Sequence, residues 1–149
     1  VVKNMYAQIN KSGWKMALEG KVREAGQGYF VEPAIVDNPP EDSRIVVEEP
    51  FGPIVPLLKW SSEEDVIDRA NALETGLGAS VWSKDVARAE KMARQINAGS
   101  VWVNSHFDTA PNVPFGGHKE SGVGVEWGIE GFKQYTNSRS VWVWKKVFE

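Results

Sequence analysis

Glu49-Pro50-Phe51-Gly52-Pro53 sets a carboxylate just ahead of an aromatic ring on a turn stiffened by two prolines. Such a carboxylate could accept a hydrogen bond from a ribose hydroxyl while the ring lies against a flat heterocycle. A tight turn anchored by a buried Phe is the simpler reading on residue chemistry alone. His106 stands close to Asp108, and an imidazole oriented by a carboxylate can serve as an acid or base near neutral pH. Hydrogen bonding within a loop accounts for the histidines equally well. His106 and His118 are the only two, and they have neither the i,i+4 spacing nor the thiolate partners of a zinc site, so no metal is expected. The run Pro114-Phe115-Gly116-Gly117-His118-Lys119-Glu120-Ser121-Gly122-Val123-Gly124 could cradle an anion. It lacks the Lys-Ser/Thr placement of a P-loop, which favours an irregular packed loop. Gly76-Leu77-Gly78 has no third glycine and precedes a strand rather than a helix, which excludes a dinucleotide fingerprint. Ser105 and Ser121 lie in no nucleophile-elbow sequence, so turn or surface roles are expected for both.

What the inventory omits is equally informative. The 149 residues include no cysteine, which excludes disulfides, thiolate metal sites and a thiol nucleophile within this sequence. A net charge of -3 gives no electrostatic attraction for nucleic acid or anionic lipid. No apolar run approaches the ~18 residues of a membrane span, and the first residues do not have the layout of a signal peptide. The expectation is a cytoplasmic protein with neither a nucleic-acid nor a membrane partner. Hydrophobic content of 42% and seven tryptophans fit one packed core.

The elements that must hold these residues read as follows. Val1 to Leu18 spaces Val2, Met5 and Ile9 as a helical face with Gly20 as its stop. Tyr29 to Val36, Arg44 to Glu48 and Ile54 to Trp60 have strand composition, with Pro33 and Pro56 consigned to edges or ends. Ser61-Ser62-Glu63-Glu64 carries a capping pattern that starts a helix reaching about Leu73. Ala79 to Ser83, Asp85 to Asn97 and Ser100 to Asn104 form strand, helix and strand, a βαβ unit with parallel strands. The fold class is therefore α/β. Ser105 to Gly131 reads as a long functional loop. Ser140 to Trp144 alternates apolar faces as a final strand that needs a partner on its edge.

Together these segments resemble the aldehyde dehydrogenase superfamily, and they occur in that family's order. Glu49-x-Phe51-Gly52-Pro53 matches its Glu-x-Phe-Gly-Pro element. Asn71 with Gly76-Leu77 and Val81, then Gly99-x-Val101-Trp102-Val103-Asn104, follow in turn. Pro114-Phe115-Gly116-Gly117-x-Lys119-x-Ser121-Gly122-x-Gly124, Glu126 and Tyr135-Thr136 complete the series. The resemblance implies the C-terminal part of a catalytic domain over residues 1–139, and an oligomerisation strand and tail over residues 140–149. It implies that Glu49 bonds the nicotinamide ribose and Phe51 lies beside the nicotinamide of NAD or NADP. Phe115, and Phe107 within the variable loop from Ser105 to Asn112, would line the path of a small aldehyde. A homo-oligomer through the terminal strand is implied as well. Where the family commonly has Arg and an acidic residue, this chain has Val125 and Asn137, so both members of a possible ion pair are replaced together.

In that family a thiolate captures the aldehyde, a hydride passes to NAD(P), a glutamate activates water and an asparagine helps hold the oxyanion. All of these, with the Rossmann-type domain, belong upstream of the matched region. The sequence therefore reads as a C-terminal segment without dehydrogenase activity of its own and with no cofactor held by itself. The alternative is a free-standing remnant that binds a small carbonyl metabolite or acts on it without redox chemistry, with His106 and Asp108 as acid or base.

Overall fold

The computed structural model describes residues 1–23, 26 and 28–144, and the chain divides into two compact units, Val1–Val66 and Ile67–Glu149. In the first unit, helix α1 (Val2–Ser12) places Met5, Tyr6 and Ile9 on one buried face. They pack on Ala34 and Val36 of β2 (Ala34–Asp37), Ile54 of β3 (Ile54–Leu57) and Ile45 of α2 (Arg44–Val47). The helix ends earlier than the sequence suggests. Gly13 takes φ 69°, the left-handed conformation that closes a helix cheaply only at glycine, so Met16–Leu18 is free to become strand β1.

The sheet runs β1-β2-β3, with β1 antiparallel to β2 across an irregularity and β2 parallel to β3. Pro56 sits in β3, an edge strand, where a missing N–H does no harm. Of the strand expected over Tyr29 to Val36, only its end enters β2, and Val31 makes a lone bridge to Val22. Arg44 to Val47, expected as a strand from its β-branched run, is instead a single helical turn. Its Ile45 is buried to 1% exposure, and tertiary burial overrides a preference worth only about 1 kcal/mol.

Tyr6 fastens this core. Its hydroxyl donates to the carbonyl oxygens of Glu32 at 2.5 Å and Pro53 at 3.2 Å. Burial, and secondarily the charge of Glu32, raise its pKa above the ordinary 10.0. A raised phenol pKa gives stability that is complete below the unfolded value and lost as pH rises through the folded one. Tyr6→Phe is expected to cost about 1–2 kcal/mol at neutral pH by removing the hydroxyl donor from the Glu32 carbonyl, since Pro53 O keeps the Ala34 amide. It should also remove the Tyr6 share of the alkaline loss of stability above pH 10.0. Denaturant titrations of both proteins across that pH range check both effects.

Helix α3 (Glu63–Ala72) carries the chain into the second unit, with the Ser62 hydroxyl 3.4 Å from the Asp65 amide at its start. The expected βαβ unit is present: β5 (Gly78–Val81), α4 (Val86–Ala93) and β6 (Ser100–Val103), with β5 and β6 parallel and Ala89 of α4 fully buried. The Asp85 carboxylate caps α4 by accepting from the Arg88 amide at 3.0 Å. The helix ends at Ala93, short of the expected Asn97. Asn71 stitches the end of α3 to this loop, donating to Gln95 O at 2.8 Å and accepting from Asn97 N at 2.7 Å.

The region from Ser105 to Gly131 is more ordered than a loop. It contains β7 (His118–Lys119), antiparallel to β4 (Thr75–Gly76), a bridge between Phe115 and Glu126, and the start of α5 (Gly128–Lys133). Ser140 to Trp144, expected as a strand, carries no strand assignment, because a ladder needs a neighbouring edge and none meets it within the described residues. The rest of the expected tail, 145–149, lies outside the described residues. No helix among the described residues is long and apolar enough to cross a membrane.

Candidate functional site

In the first unit, the Glu49 to Pro53 turn is pinned from behind. The Pro53 carbonyl accepts from the Ala34 amide at 2.9 Å as well as from Tyr6, and Ile54 N donates to Gly52 O at 2.8 Å. Gly52 lies against Val2, where an added Cβ would fall 2.8 Å from a methyl carbon. The turn is thus fixed without help from its aromatic ring. Phe51 is 85% exposed, which overturns the expectation of a buried anchor. Glu49 is also exposed, and among the described residues its carboxylate makes no hydrogen bond or ion pair. An open acceptor and an open ring on one rigid turn fit a ribose hydroxyl and a flat ring.

The second unit gathers its aromatic residues. Phe107 meets Phe115 edge to face at 5.8 Å between ring centroids, and Phe115 leans on Trp127 at 5.5 Å. Trp102 meets His106 at 5.6 Å and Phe107 at 6.2 Å. Trp102, Val113, Pro114, Phe115 and Trp127 line a cleft of about 240 Å³. Phe107 and Trp127 both hold positive φ, 56° and 60°, a conformation that costs bulky residues and recurs where a side chain is held for function.

The proposed partnership of His106 with Asp108 does not form. His106 Nδ1 lies 2.7 Å from the Ser80 hydroxyl, while the main-chain carbonyl of Asp108 accepts from the Trp102 indole at 2.7 Å. His118 is likewise occupied, 2.9 Å from Asn97 Oδ1. No group of metal-ligating side chains occurs among the described residues.

The glycine-rich run is packed against its own unit, but it is not wholly the irregular loop expected, since His118–Lys119 forms β7. Lys119 donates to the carbonyls of Asn71 at 2.9 Å and Leu73 at 2.7 Å, a cation on the unsatisfied end of α3. Ser121 Oγ accepts from the Gly76 amide at 2.8 Å. Gly99 meets the run backbone to backbone, with no room for a Cβ beside Gly116 O. These contacts turn the Lys119 ammonium and the Ser121 hydroxyl, two of the polar heads of the run, to structural work.

Sequence reasoning did not single out Ser80 or Trp127 for a site. Ser80 gains its partner from the β5-β6 register, which pairs it with Trp102 near the His106 loop. Trp127 offered one signal, its position beside Gly128 at the start of a helix.

The sequence matches the model of the aldehyde dehydrogenase family over residues 1–141. It is 39% identical over 136 residues to an aldehyde dehydrogenase of Davidiella tassiana, covering 91% of this chain and 27% of that protein. A betaine aldehyde dehydrogenase of Bacillus subtilis is 40% identical over 141 residues, covering 92% of this chain and 29% of that protein. In structure the chain is similar to the NAD+ complex of an aldehyde dehydrogenase from Bacillus cereus. There the TM-score is 0.88 at 40% identity, with 97% of this chain and 29% of that chain covered. The chain spans less than a third of the length of these relatives.

Proposed function

Because the chain belongs to the aldehyde dehydrogenase family, matched over residues 1–141, we propose that it supplies part of the cofactor- and substrate-contacting surface of an NAD(P)-dependent aldehyde oxidation. The observation that carries this reading is the exposed ring of Phe51 beside a free carboxylate on a turn fastened to the core. Glu49 accepts a hydrogen bond from the nicotinamide ribose, and Phe51 packs beside the nicotinamide. NAD(P), when bound, supplies the hydride acceptor. Phe115 and Phe107 present an apolar wall to a small aldehyde, and the bridge from Phe115 to Glu126 fixes where that wall stands. The chain holds no cysteine, so covalent capture of the aldehyde belongs to the longer polypeptide of the relatives.

The experiment is saturation-transfer NMR of the full chain with NAD+. Transfer to nicotinamide and ribose protons is expected, lost in Phe51→Ala and reduced in Glu49→Ala. Equal transfer in all three proteins would remove this reading. Affinity should be weak, in the millimolar range, since a single ring and one hydrogen bond supply only about 4 kcal/mol against the cost of association.

The tail adds self-association to the proposal. Val141, Trp142, Val143 and Trp144 are 71%, 86%, 78% and 87% exposed, and an apolar segment of that kind adds readily to a second copy's edge. Sedimentation is expected to show a concentration-dependent mass that Trp142→Lys with Trp144→Lys reduces to monomer. A wild-type chain that stays monomeric across the concentration range would sink this part.

A further inference from the structure

At the end of α1 the first unit has a cleft that uses neither Glu49 and Phe51 nor the aromatic wall of the second unit. Its volume is about 570 Å³, within the range of small-molecule sites, and Ile9, Trp14, Met16, Glu19, Lys21 and Glu32 are among its lining residues. Main-chain contacts build it. Lys21 O accepts from the Glu32 amide at 2.9 Å, and Gly20 lies so close to Glu32 and Pro33 that no Cβ fits between them. These contacts bring Glu19 and Lys21 alongside Glu32, whose carbonyl Tyr6 holds. Gly13 closes α1, and Trp14 follows at once, half-buried against the core with its amide bound to Ser12 Oγ at 3.2 Å. The charges in the lining do not cancel. Two carboxylates face one ammonium, and the end of α1 adds the negative pole of a helix dipole. Glu32 is paired with Arg23 at 2.9 Å. Glu19 is exposed, and among the described residues its carboxylate makes no hydrogen bond or ion pair.

We propose that this cleft binds organic cations with a flat apolar body, of the arylalkylammonium class. The ammonium pairs with Glu19, and the aryl ring lies against Trp14 and Met16, whose indole face and thioether favour a ring and its adjacent positive charge. Glu19 and Glu32 have no third metal-ligating side chain with them among the described residues, which sets a bare metal ion aside. Lys21 repels the same ligand and limits its affinity. The open carboxylate therefore selects the charge, and the tryptophan selects the body that carries it.

The test is N–H correlation NMR of the full chain titrated with naphthylmethylammonium. Saturable shifts are expected at the Trp14 indole and at the Glu19, Gly20 and Lys21 amides, with a Kd of about 1 mM. Naphthoate, with the same ring and the opposite charge, and propylammonium, with the charge and no ring, should each bind at least about tenfold more weakly. Glu19→Gln should weaken naphthylmethylammonium about fivefold, and Lys21→Met should strengthen it about threefold, as single exposed charges do. Both substitutions are at exposed positions, and the spectra themselves report that each variant is folded. Shifts that leave Trp14 and Glu19 unmoved, equal binding of naphthoate, or an affinity that neither variant changes would each overturn the assignment.

Discussion

Gly99→Ala is expected to destroy the packing of the second unit, at a cost of at least about 3 kcal/mol. The added methyl would stand 1.6 Å from the carbonyl oxygen of Gly116 and 2.7 Å from its carbon. Both are main-chain atoms in a segment tied down by the bridge from Phe115 to Glu126 and by the pairing of β4 with β7. No rotamer change can relieve the clash, so the strands themselves must separate. The Gly99 amide donates to Gly76 O at 3.0 Å, and that bond would go with them. Total stabilities are about 5–15 kcal/mol, so a loss of this size leaves a marginal or unfolded unit. Gly13→Ala makes the contrast. It has open space around it but φ 69°, and should cost only about 1 kcal/mol. Denaturant titration with hydrogen exchange at the β4 and β7 amides distinguishes the two. A Gly99→Ala midpoint equal to that of Gly13→Ala would show the close approach to be wrong.

The second large effect is catalytic. The pure chain is expected to produce no NADH or NADPH from any aldehyde, at any protein concentration. Hydride loss requires a tetrahedral adduct on the aldehyde carbon, which in this family is built by a thiolate, and the sequence has no cysteine. Loss of a catalytic nucleophile in a comparable covalent mechanism costs on the order of 10⁶ in kcat. The check is absorbance at the reduced-nicotinamide band with aliphatic and aryl aldehydes. Turnover that scales with the chain and survives repurification would refute the expectation.

Much of this architecture could be read from residue order. The βαβ unit was legible because its cues are local: Ala89 and its neighbours at helical spacing, and a short apolar run on either side, around Val81 and over Val101 to Val103. The family motifs were legible for the same reason. What failed depended on partners distant in sequence. Arg44 to Val47 carries strand-forming residues, yet Ile45 is buried in the core cluster that α1 and the sheet form. Gly20 looked like the stop of α1, but Gly13 takes the left-handed turn, and an added Cβ at Gly20 would lie 2.3 Å from Pro33 O. The bond between Ser80 and His106 spans 26 residues and exists only in the register that β5 and β6 adopt. On residue chemistry alone Phe51 reads as a buried anchor because large rings are usually interior, but Tyr6 already holds that turn through Pro53, and the exposed ring is left to the contact that the family resemblance implies.

The parallel pair β5 and β6 stands as a two-stranded sheet among the described residues, with an outer edge on each strand. Heating should therefore end in strand addition between molecules faster than in refolding. Calorimetric traces would then shift with scan rate and leave a precipitate on cooling, and the useful measure of durability for this polypeptide becomes a half-life instead of a melting point.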